Sequence, residues 1–334
     1  MSDAPDLIRL FASLPLPVGN SAVGRFSAQP IADIPSCSVG KDATGCPVLL
    51  VETDASVPRA AVAPIILQNL SVLHNVDCRM QDADGRASTH RVSVIRCCGN
   101  DQFLREYFLR ALTPVLASLP ARPAREQVVG AIAKLIELFR RATQPPRKTV
   151  QGLWAELFVI REAPDPTFLL RCWHTAPEDL FDFAEDTQRI EVKTASGRVR
   201  THRFSHEQLR PAAGRVVVIA SVLMERSAGG KSVNDMVDEI RQLIADPDLL
   251  LRLDAVIADT LGSEWRAARE DRFDRQLAAE SLRFLDARTI PSVPGELPPE
   301  VTDVHFCVDL SNHPLTLPDE LRQQGGLFAA ALPR

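Results

Sequence analysis

The sequence predicts an α/β protein in two parts. A domain with a central mixed β-sheet flanked by helices spans residues 146–334, and a smaller α+β domain precedes it over residues 1–145. Three observations carry this expectation. Strand-like segments cluster before residue 100 and are followed by two helical ones. A proline-containing break then interrupts the helical pattern. Beyond it the order helix, several strands, helix returns, as a sheet covered by helices requires.

In chain order, Val48 to Glu52, Ala63 to Leu67, Ser71 to Arg79 and Ser88 to Arg96 are rich in β-branched residues, and Asp82-Ala83-Asp84-Gly85 supplies a turn between the last two, so a small antiparallel sheet is expected. Helices follow over Asp101 to Ser118, where Phe103, Phe108, Leu109, Leu112 and Val115 recur at near-helical spacing, and over Ala124 to Ala142. Thr143-Gln144-Pro145-Pro146-Arg147-Lys148 stops the second helix, because proline lacks the amide donor and pushes its neighbour to extended geometry.

Past that boundary the pattern gives a helix over Gly152 to Arg161 and strands near Leu169 to His174, Leu180 to Phe183, Arg189 to Thr194 and Val216 to Val222. Ser232 is placed to cap a helix carrying Val233, Met236, Val237, Ile240, Leu243 and Ile244, with Asp235 three residues on. Helical pattern continues through Leu249 to Leu261 and Glu264 to Glu280, and strands at Leu282 to Asp286 and His305 to Leu310 complete either sheet.

Composition narrows the function. No stretch approaches the ~18 apolar residues of a membrane span, and the N-terminus, with Asp3 and Asp6 early, lacks a signal-peptide layout, so a cytoplasmic location is expected. The seven cysteines contain no C-x-x-C pair and read as reduced, mostly buried small apolar residues. A formal net charge of -5 argues against a protein that coats nucleic acid non-specifically; any nucleic acid is met through a local patch. Gly229-Gly230-Lys231-Ser232 resembles a phosphate-loop fragment, but the first glycine of that motif would fall on Glu225, so these residues read as a turn and nucleotide binding is rejected.

The chemistry concentrates in Phe181-Asp182-Phe183-Ala184-Glu185-Asp186-Thr187-Gln188-Arg189-Ile190-Glu191-Val192-Lys193. Its ends are strand-like and its middle turn-like. With the turn between Asp186 and Thr187, Asp182 lies opposite Glu191, Cβ atoms roughly 5 Å apart. Glu191 and Lys193 share a strand face while Ile190 and Val192 point away. Opposed carboxylates repel unless a cation sits between them, and Mg²⁺, with Mn²⁺ as a substitute, suits oxygen ligands. Lys193 would then stand beside the nucleophilic water or the scissile phosphate. Glu156 shares a helix face with Leu153, Val159 and Ile160, and is either a third acidic group at the metal or one half of an ion pair or helix-dipole contact.

These residues resemble the PD-(D/E)xK, restriction-endonuclease-like nuclease superfamily, with Asp182 as the first acid, Glu191-Val192-Lys193 as E-x-K and Glu156 as the acid carried by the preceding helix. Gly152-Leu153-Trp154-Ala155-Glu156-Leu157, Glu191-Val192-Lys193-Thr194 and Ser205-His206-Glu207-Gln208-Leu209 are more narrowly similar to a bacterial family of PD-(D/E)xK motif proteins. The resemblance covers roughly residues 149–243 and implies a restriction-endonuclease-like core, metal-dependent DNA hydrolysis, and a setting in restriction or phage defence.

The first acid here follows Phe181 instead of proline, and Asp179 in Pro177-Glu178-Asp179 competes for the role; the cross-strand register favours Asp182. The alternative for Glu191 and Lys193 is a structural ion pair. Lys148, Arg198, Arg200, His202, Arg203, His206, Gln208 and Arg210 flank the motif and either track a DNA backbone or form a solvated loop. DNA, a second copy of the chain and defence-system proteins are the expected partners, with no membrane. The other functional reading is a catalytically silent module that binds DNA or scaffolds a defence complex.

Overall fold

The computed structural model describes residues 7–17, 25–32, 34–52, 63–81, 86–98, 102–120, 125–142, 149–174, 179–197, 199–262, 265–294, 298, 300–314 and 319–332. The chain is of mixed α/β type and divides into two compact units, one of residues up to 144 with 250–258, the other of 145–249 with 259 onward. The turn read at residues 82–85 and the proline break at 143–148 lie outside the described residues, as do Lys148 and Arg198. Among the described residues no helix is long and apolar enough to cross a membrane.

The first unit contains α1 (Leu7–Ser13), β1 (Arg25–Ile31), β2 (Ile34–Asp42), β3 (Pro47–Glu52), β4 (Ile65–Ile66), β5 (Leu70–Gln81), β6 (Ala87–Cys97), α2 (Gln102–Ala117) and α3 (Arg125–Arg141). The strands order β1-β2-β3-β6-β5-β4. The antiparallel sheet read from the sequence has two further strands, β1 and β2, and it closes on itself. β1 pairs in parallel with β5 through Arg25↔Arg79, Phe26↔Met80 and Ser27↔Gln81. Closure covers the open side of β1 and leaves the two-residue β4 at the edge. Phe26, Ala28, Val48, Leu50, Cys78, Met80, Val92 and Val94 fill the inside. Such a parallel pair joins segments over 50 residues apart, which local pattern does not reveal.

The second unit contains α4 (Val150–Glu162), α5 (Pro166–Cys172), β7 (Phe183–Glu185), β8 (Gln188–Ser196), β9 (Thr201–Ser205), α6 (His206–Leu209), β10 (Val216–Met224), β11 (Arg226–Ser232), α7 (Val233–Leu243), α8 (Pro247–Leu261, of which 250–258 belong to the first unit), α9 (Trp265–Glu270), β12 (Arg272–Phe273), α10 (Arg275–Ser281), β13 (Arg283–Asp286), β14 (His305–Asp309), α11 (Asp319–Arg322) and α12 (Gly326–Ala331). Its main sheet orders β13-β10-β8-β7, with β8 and β10 parallel and both outer pairings antiparallel. β10, VVVIASVLM, is buried almost throughout, as expected of a strand covered on both faces.

α4 is buried along most of its length, from Leu153 to Ile160. Thr149 caps its start by accepting from the Gly152 amide. Ser232 and Asp235 form the capping box of α7 read from the sequence. β13 and β14, read from the sequence as strands of either sheet, pair with β10 in the main sheet and with β9 in a separate two-stranded sheet respectively.

Three expectations are corrected. Residues 166–172 form helix α5 instead of a strand near Leu169 to His174: Asp165 accepts from the Phe168 amide and Pro166 sits in the first turn, a start signal that outweighs the short apolar run. The helical stretch 264–280 is broken by β12, because buried Phe273 pairs with β11 and Asp274 caps a new helix. Gly229 to Ser232 lie in β11, not in a turn. At Gly230 an added Cβ would run into the Phe273 backbone. Gly230→Ala is therefore expected to lower stability by about 2 kcal/mol, the scale of overpacking a tight contact. Chemical denaturation checks this; a midpoint within experimental error of wild type would refute it.

Candidate metal centre and E-x-K strand

The hairpin that carries the acidic residues has the expected register. Phe183 opposes Ile190, Ala184 opposes Arg189 and Glu185 opposes Gln188, which leaves Asp186 and Thr187 as the two-residue turn. Asp186 adopts φ 46°, a left-handed conformation that a short polar side chain tolerates. α12 braces the turn: Gln188 accepts from the Phe328 amide at 3.0 Å and donates to the Gly325 carbonyl at 3.1 Å.

Beyond Phe183 the ladder ends, and Asp182 takes over by side chain: its Oδ2 accepts the Val192 amide proton at 2.8 Å. Its own carbonyl accepts from the His174 amide, while Trp173 bridges Phe183. The chain leaving α5 is thus laid antiparallel against the segment bearing Asp182, with His174 beside it. Glu156 projects from α4 to the same place. Its Oε2 accepts from Trp173 Nε1 at 2.8 Å and lies 3.3 Å from His174 Nε2.

Glu156, His174 and Asp182 each offer a ligand atom, all within 4.8 Å of one another. Glu156 is 3% exposed and Asp182 5%. Two carboxylates this close, removed from water, favour a cation among them. The donor set fits a divalent ion: two carboxylates and an imidazole, with Trp173 and Val192 fixing the carboxylates from outside, as partners of metal ligands do.

Glu191 and Lys193 form a neighbouring group. Lys193 Nζ lies 2.8 Å from Glu191 Oε1 and 5.4 Å from the centre of the Phe204 ring. Gln208 donates to the same Glu191 oxygen at 2.6 Å and to the Leu180 carbonyl. Gln208 is itself held by a capping box in which Ser205 N donates to its Oε1. Asp182 and Glu191 are thus opposed in register, but their carboxylates engage different partners. Asp182 turns to Glu156 and His174, Glu191 to Lys193 and Gln208. Asp179 is exposed and outside the three-residue group.

The flanking basic residues divide. Arg203 and Arg210 are exposed, Arg210 donating to Ser292 Oγ, and His206 is partly buried. Arg200 and His202 are corrected as DNA contacts: both are buried within the second unit. Arg200 donates to the Ser221 carbonyl and hydroxyl and to the Ser281 carbonyl. His202 lies between Thr194 O at 3.2 Å and Ser221 Oγ at 2.6 Å. The Thr194 carbonyl can only accept, so Nδ1 carries the proton and Nε2 accepts from the Ser221 hydroxyl. Gln208, too, is occupied internally. Strand alternation was the available signal: residues 200, 202 and 204 share an inward face while 201 and 203 point out. His174 was missed because a lone histidine after an apolar run carries no spacing signal.

The model of one protein family, described as "Putative PD-(D/E)XK family member, (DUF4420)", matches residues 38–311, most of the 334-residue chain. No curated protein and no solved structure matches the chain.

Proposed function

The chain belongs to this PD-(D/E)XK family, and on that premise we propose that it is a metal-dependent nuclease that hydrolyses DNA phosphodiester bonds, in restriction or phage defence. The second unit is read as its restriction-endonuclease-like core and the first as a domain for a partner or DNA. The observation that carries the reading is the burial of Glu156 and Asp182 together with His174, immediately beside the Glu191–Lys193 pair.

A divalent ion, Mg²⁺ or Mn²⁺, would supply Lewis-acid stabilisation of the phosphodiester. Glu156, Asp182 and His174 would hold it. Lys193 presents a positive charge to the negative charge that grows on the phosphate oxygens. Gln208 and Lys193 fix the Glu191 carboxylate at the edge of that site. Arg203 and Arg210 offer cations to the DNA backbone, and a two-fold dimer of the chain would present two such sites to the two strands.

Incubation of the full chain with supercoiled plasmid and Mg²⁺ or Mn²⁺ is expected to give nicked or linear product. A chelator should abolish it, and Asp182→Asn should slow it by at least about 100-fold, the scale of losing one electrostatic contact in a transition state. Cleavage that persists in Asp182→Asn would refute the site. A wild-type protein inert over both metals would favour the second reading, a catalytically silent DNA-binding or scaffold subunit. That reading draws support from the burial of Arg200 and His202, which leaves a smaller basic face than the sequence suggests.

A further inference from the structure

Two acids of this site group with an imidazole, and a third is held by a lysine and an amide. Glu191 Oε1 is engaged by the Lys193 ammonium at 2.8 Å and by the Gln208 amide at 2.6 Å. Glu156 and Asp182 instead group with an imidazole, His174. We propose that the metal centre of this chain is a Glu156–His174–Asp182 site with a nitrogen ligand, selective for a first-row transition ion such as Mn²⁺ over Mg²⁺, and that Glu191 stays outside the resting coordination sphere.

Three independent features support it. His174 is held at the site by main chain: its amide donates to the Asp182 carbonyl at 2.8 Å, and the Trp173↔Phe183 bridge fixes the strand before it. The ligand atoms lie within 4.8 Å of one another, near the spacing of atoms that share one ion. Both carboxylates are oriented from outside the cluster, Glu156 by the Trp173 indole N–H and Asp182 by the Val192 amide, each at 2.8 Å.

The selectivity follows from ligand chemistry. Mg²⁺ prefers oxygen donors and keeps much of its water, whereas a nitrogen donor favours first-row transition ions, least for Mn²⁺ and increasingly through Co²⁺, Ni²⁺ and Cu²⁺, with a fall at Zn²⁺. Two buried carboxylates give the ion its charge balance, and the imidazole decides among ions of equal charge. Glu191 already has a cation in Lys193, so recruiting it would leave the Lys193 ammonium without its near carboxylate.

The proposal rests on the nuclease reading for its catalytic relevance but not for metal binding, and the test separates the two. Mn²⁺ is titrated into the full chain and followed by electron paramagnetic resonance, with pulsed measurements reading nitrogen coupling to the bound ion. Expected are saturable Mn²⁺ binding, nitrogen coupling in the wild type, and displacement only by a large excess of Mg²⁺. His174→Gln should remove the nitrogen coupling, and Glu191→Gln should keep it with affinity changed by less than about 3-fold, whereas Asp182→Asn should weaken binding by about 100-fold or more.

Absence of Mn²⁺ binding, absence of nitrogen coupling in the wild type, or Glu191→Gln binding as weakly as Asp182→Asn would each overturn it. A wild-type spectrum without nitrogen coupling overturns the site even if a variant fails to fold. Nitrogen-coupled Mn²⁺ without DNA cleavage would overturn the nuclease reading and leave this site standing. Mg²⁺-supported cleavage without nitrogen coupling would do the reverse.

Discussion

Lys193→Ala is expected to reduce DNA cleavage by about 100- to 1000-fold at saturating DNA and metal, the range for removing one preorganised charge from a phosphoryl-transfer site. The ammonium sits between Glu191 and the Phe204 ring, and a chain of contacts fixes it there: Gln208 holds Glu191, and Ser205 holds Gln208. Its charge is therefore positioned before substrate arrives. The variant leaves Glu191 with Gln208, so a stability loss of about 1–2 kcal/mol accompanies the change. Mn²⁺ affinity, if set by the proposed Glu156, His174 and Asp182 site, should stay near wild type. Single-turnover rates with metal titrations check both halves. Equal rates for wild type and Lys193→Ala would reduce the Glu191–Lys193 pair to a structural one.

The second large effect is on acid stability. Burial pushes the His202 imidazole down to about 4; the Thr194 carbonyl opposes this, and the Arg200 and Lys193 charges add to it. The folded protein therefore prefers neutral His202, while the unfolded chain protonates it near the ordinary value of about 6.5. The contribution is fully present above that value and is lost as pH falls from about 6.5 to about 4, reaching about 3 kcal/mol at the lower end. Protonation would also set a cation beside buried Arg200, which has carbonyls and a hydroxyl as partners. Urea unfolding across that range should show a slope in the wild type that is shallower in His202→Gln. Parallel curves for the two proteins would show that His202 carries none of the acid sensitivity.

Much of the hairpin was legible in the sequence. The positions of Asp182, Glu191 and Lys193 follow from a period of two and a two-residue turn, and the structure has that register. The burial of Glu156 was readable from its apolar neighbours on the α4 wheel. To Asp182, Glu191 and Lys193 the structure adds Glu156 and His174 beside Asp182 and Gln208 beside Glu191. A register fixes which backbones oppose each other, whereas each carboxylate turns to the donors in reach, and those come from β8 itself, from the segment after α5 and from α6.

The misreadings have two sources. Residues 166–172 and 264–280 were assigned by apolar pattern, and short apolar runs do not distinguish helix from strand without their caps. Arg200 and His202 were counted as a charge run, although alternation along β9 turns them inward.

The sequence by itself determined the α/β class, the capped helix α7, the hairpin and its E-x-K strand, because these depend on periodicity and local hydrogen bonding within a few residues. Tertiary structure alone decided the parallel closure of β1 on β5, the pairing of β13 and β14, the grouping of His174 with Glu156 and Asp182, and the burial of Arg200 and His202. Each of these joins residues that are distant in sequence or depends on which face a neighbouring element covers. Their free energy comes from packing and desolvation, which arise only once the elements meet.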